Sequence, residues 1–373
     1  MSLSLPAESA HARSLTDVVP QMLRALSSES DWLPPARSAI VFVIDGLGAS
    51  NLSARAGHAR FLSSMSSKKS IGRTVFPSTT ASALTSLLTG THPGTHGIVG
   101  YRARVPGTDR VVNQLRGWEQ GGLPEGWQRA TPLAERTDGP FFVVSKKEYA
   151  GTGFTRATQE GAEFTGVDDL LERVRIAAHL AHRHPGSLTY LYAPELDGVG
   201  HQRGWESGEW VAALESMDAA AAALAAELAP DVGALVTADH GMVDVPRHRH
   251  VLLGEGHPLL DGVRLIGGEP RTLHLYAEPG RAHEVAARWK DSESGRAWVL
   301  TRAELRETGL LGDVHPDVND RVGDVVVAAR TSIAYYDDRL SDKGPQRMIG
   351  QHGSLTHEER TVPLIRLGAF RNV

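Results

Sequence analysis

The sequence contains no cysteine among its 373 residues. This absence excludes a cysteine-based zinc finger, an iron–sulfur protein, a thiol enzyme and a disulfide-stabilised scaffold. Any metal ion must therefore be bound by histidine and carboxylate side chains, and 17 histidines with 44 Asp and Glu residues supply ample candidates. A chain of this length buries a large core, so it needs neither disulfides nor metal ions for its stability alone.

The sequence also lacks a basic excess and a long apolar run. Its 39 Lys and Arg residues against 44 Asp and Glu residues give a net charge of -5, which argues against a nucleic-acid partner. The longest clean apolar run, Ala39–Ile44, is far shorter than the ~20 residues that span a bilayer. Met1–Arg13 has neither the basic start nor the apolar stretch of a signal peptide. We therefore expect a cytoplasmic protein with no membrane partner, of undetermined oligomeric state.

Strands and helices alternate along most of the chain, which is otherwise of ordinary globular composition, with 41% hydrophobic and 22% charged residues. Apolar runs predict buried strands, and apolar residues at helical spacing predict helices between them. The predicted strands of the core are Ala39–Ile44, Ser187–Ala193, Gly233–Thr237 and Val362–Leu367, and the helices are Ser78–Leu88, Val167–His182 and Glu209–Leu228. This alternation predicts an α/β fold with a mainly parallel central sheet and helices on both faces.

The amino-acid composition changes after Val245, where glycine, proline and arginine become more frequent. Short predicted strands at Thr272–Tyr276 and Gly323–Val327 surround a predicted helix at Ala282–Lys290. We interpret 245–345 as a smaller inserted α+β cap subdomain. The catalytic core then comprises 1–244 and 346–373, with a local insertion at about 101–138.

Aspartate and histidine residues follow the predicted strands. They are Asp45, Asp197, His201, Asp239 and His240, with His352 near the C-terminal core segment. Taken singly, each has an ordinary explanation as a turn, loop or surface residue. Open parallel sheets bind ligands at the carboxyl ends of their strands, and all six residues together favour a binding site there.

The composition of this set indicates metal binding. Two sets of three Asp and His ligands suit two divalent cations, with Zn²⁺ fitting well and Mn²⁺ acceptably. Two metal ions ~4 Å apart stabilise the attacking and leaving oxygens of a phosphoryl displacement. A second histidine group, His248, His250 and His257, imitates metal spacing but lies beyond the strand end, and we do not assign it a metal.

A candidate nucleophile lies in the segment Phe76–Ser82, where hydroxyl residues meet the start of a predicted helix. Backbone N–H groups at a helix N-terminus can hold a phosphoryl oxygen, and a metal-bound hydroxyl is activated for attack. The alternative is that Ser78 or Thr79 merely caps the helix with its side chain.

Several segments together resemble the alkaline phosphatase superfamily, and most closely its type I phosphodiesterase/nucleotide pyrophosphatase family. The segments are Val43–Gly46, Phe76–Thr80, Leu88–Ile98, Asp197–His201, Ala238–Met242 and Gln351–Gly353. Their order and the D-x-x-x-H spacing agree with the family and cover the core but not the insertions.

The resemblance implies a role for each residue. Asp197, His201 and His352 would hold the metal that binds the attacking water. Asp45, Asp239 and His240 would hold the metal that activates the nucleophile, with Thr80 as its further ligand. The family nucleophile lies nine residues before the threonine of a Thr-Gly pair, here Thr89-Gly90, which selects Thr80 over Thr79.

One position departs from the family pattern. Eukaryotic members of the diesterase branch carry an asparagine 21 residues after the nucleophile, and this asparagine contacts the substrate phosphoryl group; here the position is Tyr101. We expect Tyr101 to bind substrate through its hydroxyl group. The departure leaves the preference between monoesters and diesters open.

The expected function is hydrolysis of phosphoric esters with two divalent metal ions, through a phospho-threonine intermediate. The expected substrate is a small phosphodiester or a nucleotide pyrophosphate. The alternatives are a phosphomonoesterase or phosphonate hydrolase on the same scaffold and, from a different class, a non-catalytic metal-binding module.

Overall fold

The computed structural model describes residues 5–6, 12–67, 69–119 and 122–371. The strands of this part of the chain are β1 (Arg13–Ser14), β2 (Ser38–Ile44), β3 (Ile71–Arg73), β4 (Arg102–Arg104), β5 (Val111–Asn113), β6 (Phe141–Ser145), β7 (Glu163–Gly166), β8 (Leu188–Ala193), β9 (Val232–Thr237), β10 (Val243–Asp244), β11 (His250–Leu253), β12 (Val263–Glu269), β13 (Thr272–Ala277), β14 (Ala297–Thr301), β15 (Val325–Ala329), β16 (Ala334–Asp337), β17 (Gly350–Gln351) and β18 (Thr361–Gly368).

The α-helices lie between these strands. They are α1 (Leu15–Leu26), α2 (Ala49–Ala54), α3 (Arg60–Met65), α4 (Thr80–Thr89), α5 (Pro93–His96), α6 (Leu133–Arg136), α7 (Gly153–Gln159), α8 (Leu170–Arg183), α9 (Glu195–Arg203), α10 (Gly208–Glu227), α11 (Ala282–Glu293), α12 (Arg302–Glu307), α13 (Pro316–Asn319) and α14 (His357–Arg360). None of the helices in the described residues is both long and apolar enough to cross a membrane.

An eight-stranded sheet forms the centre of the molecule, in the order β1-β3-β18-β9-β2-β8-β6-β7. Strand β18 runs antiparallel to both of its neighbours, and all the other adjacent pairs are parallel. The mainly parallel sheet expected from strand–helix alternation is therefore confirmed.

Both faces of this sheet are covered, as expected. Alternate residues of a strand point to opposite faces, and β2 illustrates this: Val41 packs into the apolar cluster of α1 and α4, whereas Phe42 packs into that of α8 and α10. Every residue of β2 is buried, which accounts for its continuous apolar sequence.

Two predicted helices begin later than the sequence pattern indicates. Helix α8 begins at Leu170 because the side chain of Asp169 accepts a hydrogen bond from the backbone N–H of Glu172 and caps it. Helix α4 begins at Thr80, since the backbone N–H of Ser78 donates to the carbonyl of Gly353 in a β-bridge. The second difference matters for function, because it places Thr80 in the first turn of the helix.

Residues between β10 and β17 form smaller sheets beside the main one. Four antiparallel strands pair in the order β12-β13-β15-β14, and α11 packs on this sheet. The short strands β10 and β17 at the two ends of the segment pair with each other. This arrangement agrees with an additional α+β subdomain, while the domain boundaries at 245 and 345 stay a prediction.

Candidate functional site

All six candidate ligands meet at the carboxyl edge of the central sheet. Asp45 directly follows β2, and Asp239 and His240 follow β9. Asp197 and His201 lie four residues apart on α9, which starts just after β8, so they share one helix face. His352 directly follows β17. We call Asp45, Asp239 and His240 the inner half of the site, and Asp197, His201 and His352 the outer half.

Two compact groups of possible ligands result from this arrangement. The outer half forms one group, and Asp45, Asp197 and His240 form the other, with one ligand atom of each residue lying within 4.8 Å of the others. Asp197 belongs to both groups, so the two positions are adjacent. Asp239 approaches the second group through its Oδ2, which lies 3.3 Å from Nε2 of His240.

The three histidines are oriented in the same way. In each ring, Nδ1 lies within hydrogen-bond distance of a backbone carbonyl: His240 with Gly241 (3.1 Å), His201 with Gly350 (2.8 Å) and His352 with Ser78 (3.0 Å). Donation from Nδ1–H to these carbonyls leaves the lone pair of each neutral ring on Nε2 and directs it into the site. Metal-binding histidines in proteins are commonly oriented in this way, by a hydrogen bond from the ring nitrogen that does not bind the metal.

The inward-facing nitrogen atoms approach one another closely. Nε2 of His201 lies 3.3 Å from Nε2 of His352, and the rings of His240 and His352 stack with their centroids 3.5 Å apart. With Nδ1 protonated in both rings, neither Nε2 can donate to the other. A cation bound by both nitrogen atoms removes this conflict between lone pairs.

The carboxylates give a second indication of cation binding. Buried oxygen atoms Oδ1 of Asp45, Oδ1 of Asp197 and Oδ2 of Asp239 have no hydrogen-bond partner among the described residues. Leaving a buried carboxylate oxygen unpaired is costly, and three such atoms surround the same place. The donor set of Asp and His fits zinc or manganese, so the residues present are suited to the metals that the sequence implies.

The pKa shifts of residues in both halves of the site also indicate cation binding. Burial, followed by the charges of Asp239 and Asp197, raises the pKa of Asp45 well above its ordinary value. The hydroxyl of Tyr192 donates a short hydrogen bond to Oδ2 of Asp45. Burial, then the charges of His240 and His201, lowers the pKa of His352 well below its ordinary value. A bound divalent cation favours both ionised carboxylates and neutral imidazoles, so it would offset the repulsion between the neighbouring carboxylate charges.

The hydroxyl group of Thr80 also reaches the cluster. Its Oγ1 lies 3.1 Å from Nε2 of His240, and its side chain lines a cavity. Thr79 is the N-cap residue of α4, yet its side chain makes no capping hydrogen bond, and the hydroxyl of Ser78 donates to the carbonyl of Ser354 instead. The alternative that Ser78 or Thr79 caps the helix with its side chain is therefore wrong, which leaves the first N–H groups of α4 available to an anion.

The cavity beside Thr80 has a volume of about 460 Å³. Six aromatic side chains contribute to its lining: Trp118, Tyr149, Phe154, Phe164, Tyr190 and Tyr192. A volume of this size is typical of small-molecule sites. The sequence analysis missed this cavity, because its aromatic residues come from separate segments and only Tyr190 and Tyr192, two apart on β8, share a visible strand pattern.

Tyr101 is not among the residues that line this cavity. Its backbone N–H donates to Oε2 of Glu269 at 2.8 Å. Glu269 itself is buried and was not anticipated from the sequence. A Cβ placed on Gly353 would lie only 2.5 Å from Cγ of Glu269, so this carboxyl group packs against the residue that follows His352.

The second histidine group of the sequence does not assemble. His248 is exposed, the ring of His250 packs against Tyr336 with centroids 4.7 Å apart, and Nδ1 of His257 accepts from the backbone N–H of Leu259. Within the described residues, the two possible metal-binding groups are those at the sheet edge.

A family model described as type I phosphodiesterase / nucleotide pyrophosphatase matches residues 39–355. The chain belongs to the type I phosphodiesterase/nucleotide pyrophosphatase family. This confirms the resemblance found in the motifs, and it supports a phosphoester hydrolase. A comparison with curated proteins finds no match.

Solved structures with the same fold include an ectonucleotide pyrophosphatase/phosphodiesterase and a phosphonoacetate hydrolase. Murine ectonucleotide pyrophosphatase/phosphodiesterase 5 is similar with a TM-score of 0.67 at 19% identity, over 88% of each chain. An inactive form of that murine protein in complex with AMP gives a TM-score of 0.65 at 19% identity, over 89% of this chain and 88% of that one. Phosphonoacetate hydrolase from Sinorhizobium meliloti 1021, in complex with phosphonoformate, gives 0.65 at 20% identity, over 90% and 91%. At these identities the likeness establishes the fold.

Proposed function

We propose that the protein is a two-metal phosphodiesterase or nucleotide pyrophosphatase that works through a phospho-threonine at Thr80. The observation that carries this proposal is the position of Thr80 Oγ1, 3.1 Å from Nε2 of His240, at the start of a helix whose N-cap makes no side-chain capping bond. A nucleophile, an anion-binding helix terminus and the Asp/His cluster thus meet at one point.

The outer half would hold one divalent cation, and the inner half with Thr80 would hold the other. Zinc or manganese at these positions supplies Lewis-acid stabilisation of the attacking and leaving oxygen atoms, and lowers the pKa of a bound hydroxyl group. The histidines keep Nδ1–H on the carbonyls of Gly241, Gly350 and Ser78 throughout, so their Nε2 atoms stay directed into the site.

The chain's own groups account for binding and for the covalent step. Backbone N–H groups of the first turn of α4 bind a phosphoryl oxygen and place phosphorus next to Thr80. Thr80 Oγ1 gives up its proton and forms a bond to phosphorus as the bond to the leaving oxygen breaks, and the leaving oxygen takes up a proton. Water then gives up a proton and displaces Thr80 from phosphorus, and the threonine oxygen takes up a proton, which restores the hydroxyl. Two inversions give net retention of configuration.

The cavity beside Thr80 favours a diester over a small phosphonate. An aromatic-lined volume of about 460 Å³ is larger than a phosphonate such as phosphonoacetate requires, and it suits an organic group attached to the phosphoryl centre. The neighbours in complex with AMP, a nucleoside monophosphate, and with phosphonoformate show that nucleotides and small phosphonates both bind on this fold, so the cavity is the feature of this chain that supports the diester.

A substrate panel tests the proposal. Bis(p-nitrophenyl) phosphate, p-nitrophenyl phosphate, thymidine 5′-(p-nitrophenyl) phosphate and phosphonoacetate are compared with zinc and with manganese. We expect the highest kcat/KM for one of the two diesters. Preference for the monoester or for phosphonoacetate would instead establish the corresponding alternative, and metal binding without turnover of any substrate would favour a non-catalytic module.

Other expectations from the sequence stay predictions. They are the substrate contact of the Tyr101 hydroxyl, the location in the cytoplasm, the lack of a nucleic-acid partner and the cap boundaries at 245 and 345. For Tyr101, replacement by phenylalanine tests the contact, since loss of a phosphoryl hydrogen bond lowers kcat/KM by about tenfold.

A further inference from the structure

The side chain of Arg173, on helix α8, contacts the segment that connects β8 to α9. Its Nη1 donates to the carbonyl of Tyr192 at 2.5 Å, and its Nη2 donates to Oε1 of Glu195 in a short ion pair. A longer contact joins Nη2 to the carbonyl of Asp168 at 3.4 Å. Arg173 is 0% exposed, and a buried charge is costly unless it is paired and hydrogen-bonded. The guanidinium group therefore holds two points of this short segment.

The first contact lies at the end of the central strand β8. Strands β6 and β8 pair in register up to Val144 and Leu191, so the carbonyl of Tyr192 lies one residue beyond the last pair. Buried backbone carbonyls are almost always paired, and Arg173 supplies the donor at this position. The hydroxyl of Tyr192 in turn donates to Oδ2 of Asp45. Tyr192 thus connects the guanidinium group to the inner half of the site.

The second contact holds the start of α9. Glu195 is the first residue of this helix, and its N-cap position is occupied by Pro194, which makes no side-chain capping hydrogen bond. The ion pair with Arg173 therefore fixes a helix end that lacks the usual side-chain cap. Asp197 lies in the same first turn and belongs to both groups of possible metal ligands. Movement of this turn would move the carboxylate that the two metal positions share.

The segment from Tyr192 to Asp197 packs directly against the turn that carries Asp45. The backbone N–H of Asp45 donates to the carbonyl of Ala193 at 3.0 Å. A Cβ placed on Gly46, whose φ is +76°, would lie 3.1 Å from both Cβ and Oδ1 of Asp197. Because this contact leaves so little room, the position of the segment determines the spacing between the two carboxylates.

We propose that Arg173 is a positioning residue for the metal centre. It holds the Tyr192–Asp197 segment and thereby sets the spacing of Asp45 and Asp197 for two metal ions. Arg173 is buried and does not line the cavity beside Thr80, so it acts through these ligands and does not touch substrate. Arginine suits this role because its planar group donates in several fixed directions, whereas lysine carries a single rotating ammonium group. The inference rests on the proposed function, because it concerns the two metal ions of that function.

Zinc affinity tests this role directly. Protein stripped of metal by a chelator is titrated with zinc in competition with a chromophoric chelator, at a temperature where circular dichroism shows every variant to be folded. Global stability then does not enter the measured affinity. Arg173→Lys keeps the charge but not the fixed donor directions, and it should lower zinc affinity by about 10- to 100-fold, the usual effect of changing a residue that orients a metal ligand.

Variants of Glu195 test the same contact from the other side. Glu195→Ala should also lower zinc affinity, because it releases the start of α9 from Arg173. Glu195→Gln restores an oxygen acceptor and should recover part of the affinity. The Glu195 side chain is 29% exposed, so these replacements disturb packing less than a change at Arg173. If Arg173→Lys does not fold, the two Glu195 variants decide.

Glu293→Ala is the matched control. Glu293 is likewise a buried glutamate paired with an arginine, Arg296, at 2.6 Å. It lies on α11 in the inserted segment, and its partners Arg296 and Tyr335 are not residues of the site. Its loss should lower Tm, as loss of a buried pair does, but leave zinc affinity within about twofold of wild type, because independent sites do not couple.

Activity gives a second readout. Saturating zinc should restore most of the kcat of Arg173→Lys and Glu195→Ala, which a direct role in the chemical step would not allow. Zinc affinities equal to wild type in both variants would overturn the inference and leave the two-metal function intact. Two bound zinc ions without turnover would reject the phosphodiesterase, while the zinc affinities would still decide the role of Arg173. Absence of zinc and manganese binding by the wild type would reject both.

Discussion

The inner and outer halves of the site differ in the burial of their side chains and in the secondary-structure elements that position them. Asp45, Asp239 and His240 are at most 3% exposed and follow directly on the central strands β2 and β9. In the outer half, the side chains of Asp197, His201 and His352 are 16%, 19% and 9% exposed. The inner half thus belongs to the sheet itself, and the outer half lies closer to solvent.

The supports of the outer half come from further away in the chain. The carbonyl of Gly353, next to His352, accepts from the hydroxyl of Thr272 on β13, and Glu269 of β12 packs against the same glycine. His201 depends on the carbonyl of Gly350 in β17. The inserted segment therefore supports the chain next to His352, whereas the residues of the inner half directly follow strands of the core sheet.

The largest effect should come from Thr80, which lies against the inner half. Thr80→Ala should lower kcat by roughly a thousandfold or more, because it removes the nucleophile, while metal content and Tm stay close to wild type. Thr80→Ser should retain part of the activity, since a hydroxyl remains. Steady-state kinetics with a diester, alongside metal analysis, measure this.

Thr79→Ala is the matched control for Thr80. Thr79 is buried, makes no capping hydrogen bond and does not line the cavity, so its loss should affect kcat far less. An equal loss in both variants would mean that the adjacent hydroxyls have been assigned the wrong roles.

The two halves should also differ in how firmly they hold metal. We expect close to two equivalents per chain in the purified protein, and a chelator should remove the more exposed outer metal first, giving two phases of release. His240→Ala and His201→Ala should each lose one equivalent and lower kcat/KM by at least about a hundredfold, since replacing a residue that only orients a metal ligand already has an effect approaching this size. A single phase of release, or one equivalent in the wild type, would contradict the comparison.

Glu269 offers a pH-dependent test of the support for the outer half. Burial, the largest cause, raises its pKa from the ordinary 4.5 to about 8. Because the folded-state pKa exceeds the unfolded one, the stability that the protonated carboxyl contributes is complete below about pH 4.5 and is lost as pH rises to about 8. Glu269→Gln should remove this dependence, so its Tm relative to wild type should rise between pH 5 and pH 8 and level off above.

We expect the activity of the Glu269 variants to depend on the packing of this side chain against Gly353 rather than on its charge. Glu269→Gln keeps an oxygen acceptor for the N–H of Tyr101 and should lower kcat/KM by less than about tenfold. Glu269→Ala, which removes the group against Gly353, should lower it further and speed release of the outer metal. If the difference in Tm between Glu269→Gln and wild type does not change with pH, the proposed role of Glu269 is wrong.

The smallest effects should come from the second histidine group. His248→Ala and His250→Ala lie outside both halves of the site, so kcat/KM and metal content should stay within about twofold of wild type, as for most surface changes. A loss of activity in these variants, with Asp239→Ala and His240→Ala unaffected, would place the site elsewhere.

The sequence predicted the sheet and the residues of the cluster because strand ends carry their own signal. A continuous apolar run such as β2 followed by Asp45 marks both a buried parallel strand and its functional edge. The family motif selects Thr80 as the candidate nucleophile. The predicted start of α4 is two residues too early. The bridge between Ser78 and Gly353, which prevents an earlier start, joins segments nearly 280 residues apart and leaves no local signal.

The cavity and the supports of the outer half were out of reach for the same reason. Tyr190, Gln159 and Trp118 come together only in the folded chain, and Glu269 in its Gly-Gly-Glu-Pro turn resembles any exposed acidic residue. The pattern of a single sequence indicates local burial and turns, but it does not show which distant segments line the same cavity.

The most direct test of the central claim is the site of phosphorylation after rapid quench. Metal-loaded protein is mixed with a diester substrate, quenched in acid within milliseconds and digested, and the phosphopeptide is identified by mass spectrometry. The account predicts phosphate on Thr80 in the wild type and none in Thr80→Ala. Phosphate on Ser78 or Thr79, or full turnover in Thr80→Ala, would contradict it.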